Sequence, residues 1–289
     1  MYLRTGTKIE SFEAKNIKSP VLLYLYILYR GRNMNDNISK SQKKIIIYLG
    51  SFRFLNTIQF QKLFNHKDSR RVRAWLKDLK EKRYIGTNFS RRTYQDSNRP
   101  AIYYLLTKSI KILEKEKNLK NKELRWIYKE KNRKEKFINF CVSVADIYLF
   151  FLSRKKKDDN LNFFTKTDLS KYDYFPESLP EAYIAIKNKR ITKRFFLNVF
   201  DPYTPPFVLR NKIAQYINYS QENKWEDNTS TKLPSVLFVC SNSNMVKHID
   251  HYARAKFAKE YEDKLSLYLT TQNSIKFGAE NGNVWQKVK

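Results

Sequence analysis

One helix constrains the rest of this chain. In Asp68–Lys82, DSRRVRAWLKDLKEK, the residues Val72, Trp75, Leu76 and Leu79 recur at i, i+3, i+4 and i+7, so one stripe must be buried against other elements. Asp68 or Ser69 precedes the first turn and is suited to cap it, because a short side-chain oxygen can accept from a free backbone N–H there. Ser69, Arg70, Arg71, Arg73 and Lys77 fall outside the stripe. Three arginines in the first turns oppose the helix dipole, which favours cations at the C-terminal end. An anion held against those turns offsets the cost, and a recognition helix lays its first turns against bases and phosphates. A merely solvated basic helix would carry the same charges, so the flanks must decide.

The flanks are patterned to match. Ser41–Gly50 reads as an amphipathic helix with Ile45, Ile46 and Leu49 on one side. Leu55-Asn56-Thr57 supplies a cap, and Ile58, Phe60, Leu63 and Phe64 form a short second helix. After the third helix come Arg83–Ser90, a polar loop Arg91–Pro100 and Ala101–Leu106. Together these make a hairpin whose tip carries Arg91, Arg92 and Arg99. Helix, helix, helix and basic hairpin in this order is the pattern of a winged helix-turn-helix. The expected contacts to double-stranded DNA are Ser69, Arg70, Arg71, Arg73 and Lys77 from the helix, with Arg91, Arg92 and Arg99 from the wing. Arginine suits the task because its planar fork makes bidentate contacts with guanine edges or phosphates.

Charge supports a polyanionic partner. The chain of 289 residues has a formal net charge of +29. Residues 51–100 hold 13 Lys and Arg against 4 Asp and Glu, whereas residues 201–289 hold 12 against 9. The positive field is therefore concentrated where the three-helix pattern lies, which favours nucleic acid over a membrane surface. A composition rich in Asn, Lys, Ile, Tyr and Phe raises the lysine count, but it does not group arginines at a helix start and a hairpin tip. Hydrophobic content of 42% argues against global disorder despite the charge. Cys141 and Cys240 lie in apolar surroundings and read as buried and reduced, as in a cytoplasmic protein. His66, His248 and His251 are too scattered for a zinc site. Val21–Tyr29 is apolar, but nine residues cannot cross a bilayer, so no membrane partner is expected.

The expected organisation is an N-terminal arm, 1–38, and a winged helix-turn-helix domain, 39–117, ending in a Thr107-capped helix. A charged helical linker, 118–136, leads to an α/β domain, 137–289. The linker reads as solvated, although Leu124, Ile127 and Tyr128 are embedded in it. Phe137–Phe151 opens the last domain as a core helix, with Leu161–Tyr174 extended after it. Tyr183–Lys187 and Arg194–Phe200 form a hairpin, Val208–Tyr219 a helix, and SVLFVC at Ser235–Cys240 a central strand. Met245–Tyr261 is a further helix and Ser266–Thr270 a last strand. The fold class is α/β (α+β), with a mixed sheet flanked by helices.

Several short motifs then fall in a recognisable order. Tyr104-Leu105-Leu106-Thr107 closes the winged helix, and Pro180-Glu181-Ala182 follows. Later come Lys212-Ile213 with Tyr216 on one helix, Leu233–Cys240, and Val284-Trp285. In these, from about Ser39 to Trp285, the chain resembles the plasmid replication-relaxation family. The resemblance implies a DNA-binding protein of a plasmid or other mobile element, serving replication, DNA processing and transfer, or transcriptional regulation. It also implies a second domain of restriction-endonuclease type.

That fold brings a sharper expectation. Nucleases of this type hold a divalent metal between two carboxylates, and the metal activates water and stabilises charge on the phosphate. Glu181, or Glu177, would be the first carboxylate and Asp201 the second. The position of the water-positioning lysine, two residues beyond Asp201, holds Tyr203, and Val199 stands where the family often places an acid. Lys212 is the substitute lysine on the next helix. The expectation is a degenerate site needing no cofactor; the alternative is a Mg²⁺-dependent endonuclease using Glu181, Asp201 and Lys212. A third reading is a pure interaction module in which Val21–Tyr29 docks a partner protein; besides DNA, the partners expected are a second copy, as a homodimer, or another protein of the mobile element. Six scattered glycines make no phosphate loop, and a relaxase's histidine cluster is missing.

Overall fold

The computed structural model describes residues 37–88, 99–117, 119–189, 191–256, 264–278 and 283–288. The chain divides into two compact units, Met1–Lys40 and Ser41–Lys289, and the elements that follow belong to the second, α1 starting at the boundary. The apolar run Val21–Tyr29 and the hairpin-tip residues Arg91 and Arg92 lie outside the described residues.

Helix α1 (Lys40–Phe52) buries Ile45, Ile46 and Leu49, the stripe that its spacing predicts. After Arg53 comes β1 (Leu55–Asn56), and Asn56 starts α2 (Thr57–Leu63) with a reciprocal cap. Its side chain accepts from the Gln59 N–H at 2.9 Å, while the Gln59 side chain accepts from the Asn56 N–H at 3.0 Å. Helix α3 (Arg70–Glu81) buries Val72, Leu76 and Leu79. Trp75 is half-buried against the rings of Phe64 and His66. Strands β2 (Ile85–Asn88) and β3 (Ile102–Leu105) pair antiparallel, and β1 adds to the far edge of β3, giving the order β1-β3-β2. Gly86 sits opposite Tyr104 in this ladder, and a Cβ there would fall 2.4 Å from the Tyr104 ring. The buried ring occupies the place where any larger residue would put its side chain.

The next stretch departs from the sequence expectation. Thr107–Ser109 is a single 3₁₀ turn with Leu106 at its N-cap and no side-chain cap bond, and it leads into α4 (Ile110–Lys117). Asn121–Asn132 is a 3₁₀ helix, not a solvated α-helix, and it buries Leu124, Ile127 and Glu130. The reason is their spacing: with three residues per turn, side chains at i, i+3 and i+6 share one edge. The Glu130 carboxylate, wholly buried, pairs with Arg53 and, at 3.3 Å, with Arg133. The Arg53 guanidinium also lies over the rings of Trp126 and Phe137, 4.9 and 4.6 Å from their centroids.

Helix α5 (Glu135–Arg154) is the hub. It packs against α2, β1, β4 (Asn160–Thr165) and α10 (Gln272–Phe277). Gln59 reaches across to donate to the Val142 carbonyl and to Asp146 Oδ1, both at 2.8 Å. Among the described residues α5 alone is long and apolar enough to cross a membrane, and Ile138, Cys141, Val144, Ile147 and Phe151 are buried along it.

The stretch expected to be extended after β4 instead turns into α6 (Lys166–Leu169), capped reciprocally by Thr165 and Asp168. Then come β5 (Ala182–Lys187), β6 (Thr192–Val199), α7 (Pro206–Gln221), α8 (Lys224–Thr229), β7 (Ser235–Cys240), α9 (Ser243–Lys256), β8 (Leu267–Thr271) and β9 (Gln286–Lys287). The six strands form one mixed sheet in the order β4-β5-β6-β7-β8-β9, with β6-β7-β8 parallel and the other pairings antiparallel. One face packs Phe196, Val236 and Phe238 against Ile213 and Tyr216 of α7 and Ile249 of α9. The alternate residues face the other way, where Phe195 meets Phe151 of α5. Cys141 and Cys240 are both buried and free, and burial pushes each thiol up to about 12.

Candidate nucleic-acid interface

The exposed side of α3 begins with a local ion pair. Asp68 Oδ1 accepts from the Arg70 backbone N–H at 2.8 Å, and Oδ2 lies 3.2 Å from the Arg70 guanidinium. Asp68 is therefore the cap, while Ser69 makes no side-chain cap bond. The side-chain hydrogen bond holds the Asp68 carboxyl below its ordinary value and Arg70 above its own. Part of the anion expected from outside is thus supplied from within, and Arg70 is already partnered. Both groups are largely exposed, so the pair is weak and open to exchange.

Arg71 and Arg73 differ. Both are exposed, and among the described residues neither forms an ion pair. Arg73 borders two shallow grooves. One, of about 480 Å³, runs between α2, the start of α3 and the foot of the hairpin, and its lining includes Gln61, Ser69, Arg99 and Tyr103. The other, of about 410 Å³, lies between α3 and the β2–β3 pair, lined also by Lys77, Lys80, Thr87 and Tyr103. Arg99 pairs with Glu135 at 3.5 Å, and Lys77 lies 4.0 Å from Glu81. The expected residues Ser69, Arg73, Lys77 and Arg99 are thereby gathered around adjoining grooves. Lys80, Thr87 and Tyr103 were not anticipated. Lys80 was legible, since 73, 77 and 80 continue one helical face; Thr87 and Tyr103 are brought there by the strand register Thr87↔Tyr103.

The candidate carboxylates each have their own surroundings. Glu181 precedes β5, and its N–H donates to the Leu197 carbonyl. Its carboxylate lies 3.5 Å from Lys166 Nζ. Burial pushes the Glu181 carboxyl above its ordinary value, against the pull of Lys166 and Lys212. Lys212 donates to the carbonyl and hydroxyl of Ser178 and, desolvated, is pushed down to about 8. Asp201 lies past the end of β6, where it pairs with Lys136 at 3.1 Å and accepts from the Tyr203 N–H at 2.8 Å. Glu177 lines a separate groove beside Asn211 and Gln215. The pairing Ala182↔Leu197 sets Glu181 across from Asn198, three residues or roughly 10 Å of strand from Asp201. Each carboxylate is thus held by its own lysine, which competes with a divalent metal for it. Among the described residues no group of three or more His, Cys, Asp and Glu is placed to hold one.

A family model described as replication-relaxation matches residues 47–233, from within α1 to just before β7, and so takes in the basic face of α3 and the candidate carboxylates. No curated protein and no solved structure matches the chain.

Proposed function

The chain belongs to the replication-relaxation family, and from that premise we propose that it is a DNA-binding protein of a plasmid or other mobile element. The family supports a role in plasmid or replication-related processing. Within that, α1 to β3 act as a winged helix-turn-helix that lays α3 into the major groove, with the β2–β3 hairpin as wing. One observation carries the reading: Arg71 and Arg73 stand exposed and, among the described residues, without acid partners on the first turns of α3, beside grooves bordered by Lys77, Lys80 and Arg99. The job is replication, DNA processing and transfer, or regulation of the element's genes, in the cytoplasm, alone or as a homodimer. A gel-shift titration with a duplex tests it. If about six phosphates are neutralised, affinity falls on the order of a thousandfold from 50 to 200 mM salt. A flat response would remove the electrostatic basis of the proposal.

The six-stranded sheet is, in this reading, a restriction-endonuclease-type scaffold whose chemistry has been lost. Its order of helix, three antiparallel strands, helix and parallel strand supports the scaffold, and the lysine-held carboxylates support the loss. The endonuclease alternative has one observation in its favour: Glu181 and Lys212 lie close enough for each to shift the other. Supercoiled plasmid incubated with the protein and magnesium or manganese separates the two. The account expects no nicking; nicking abolished by Glu181→Ala or Asp201→Ala would establish the enzyme.

A further inference from the structure

The sheet face opposite α7 and α9 is only partly covered. Where α5 ends, a groove of about 560 Å³ opens over it, within the roughly 300–1,000 Å³ of sites that hold small ligands. Register builds its floor: Phe195 of β6 stands beside Ser235 of β7, and Leu237 beside Tyr268 of β8. Ser235 is small and leaves depth next to the Phe195 ring. Phe151 and Trp285 make the wall, nearly parallel at 25° with centroids 6.2 Å apart. Phe195, Tyr268 and Trp285 are each only partly buried, so ring surface faces the groove.

Charge at the rim has one sign. Lys193 and Lys232 border the groove, both exposed, and among the described residues neither forms an ion pair. No Asp or Glu is among the described lining residues. An apolar peptide would leave those two ammonium groups unanswered, whereas a flat-ringed anion satisfies rings and cations together. We propose that this groove binds a single strand of nucleic acid, with bases stacked on Trp285, Tyr268 and Phe195 and phosphates passing Lys193 and Lys232. Aromatic platforms interleaved with cations suit unpaired strands, because a duplex hides the faces of its bases. The site goes beyond duplex contact through α3: it takes a different strand state at a different place, and the two fail independently.

Fluorescence anisotropy with a labelled oligothymidylate, an abasic oligomer of equal length and a duplex tests it on the full chain. Trp285→Ala should weaken oligothymidylate by roughly 5- to 150-fold, the worth of one stacked base, and leave duplex affinity unchanged. The abasic oligomer should bind the wild-type chain more weakly and be indifferent to the variant. Lys193→Glu with Lys232→Glu should weaken oligothymidylate more than Lys122→Glu with Lys129→Glu, which changes the charge equally elsewhere; this pair keeps the test alive if Trp285→Ala does not fold. Equal binding of the oligothymidylate and abasic oligomers, or equal losses from the two lysine pairs, would overturn the site as general electrostatics. Parallel loss of duplex binding in Trp285→Ala would overturn it as a distinct site.

Discussion

Lys212 shows what a single side chain can do when the fold half-hides it. Desolvation pushes its ammonium from an ordinary 10.5 down to about 8, with Glu181 pulling the other way. Between those two values the unfolded chain binds more protons than the folded one. This group's contribution to stability is therefore present above about 10.5 and lost as pH falls through about 8. Urea midpoints taken across that window should rise with pH more steeply for the wild-type chain than for Lys212→Met. Equal slopes would mean that Lys212 is solvated. Such a shift is invisible in the sequence, which places Lys212 on the helix after Asp201 without showing how far it is buried. For a related reason the sequence shows the charge of Arg70 but not its partner: the neighbouring Asp68 reads there as a cap. It is both cap and counter-ion. Arg73 and Lys77 were legible because helical spacing by itself removes them from the buried stripe.

At the scale of elements, the 3₁₀ helix Asn121–Asn132 does the most that the sequence concealed. Its buried edge, Leu124, Ile127 and Glu130, is docked by one carboxylate held between Arg53 and Arg133. A buried charge stripped of its partner is costly, so Glu130→Ala, which strands two arginines, should lower unfolding stability by about 3–5 kcal/mol. Glu135→Ala, at an exposed pair with Arg99, should cost no more than about 1 kcal/mol. Chemical denaturation reads both, and equal losses would mean that the network does not hold the element. Helices α1, α3 and α5 and strand β7 could be read in advance, since each carries its own apolar period. The 3₁₀ helix could not: its three-residue spacing is masked by lysines, and its partner Arg53 lies far away in sequence. Strand β1 has two residues, too few to show alternation, and exists only because β3 offers it an edge.

Over the whole molecule, the small three-stranded sheet and the large six-stranded one are joined within one compact unit. Helix α5 lies between them, and Gln59 reaches α5 from α2. A second tie comes from α4, where Lys117 pairs with Asp168 at 3.2 Å, and a third from Thr165, which donates to the Ser51 carbonyl at 3.0 Å. The order of elements was largely legible. The strand order was not, because parallel pairing of β6, β7 and β8 depends on helices crossing between them, which no local pattern specifies. The arginine-lined face of α3 is the surface on which we propose that duplex DNA lies. The most direct measurement is duplex affinity against salt for the wild-type chain, for Arg71→Ala with Arg73→Ala, and for Lys122→Ala with Lys129→Ala. If each arginine contacts a phosphate, the arginine pair should weaken binding by roughly 2–5 kcal/mol and reduce the salt slope by about 2, with the lysine pair changing little. Equal losses from the two pairs, or an unchanged salt slope in the arginine variant, would contradict the account.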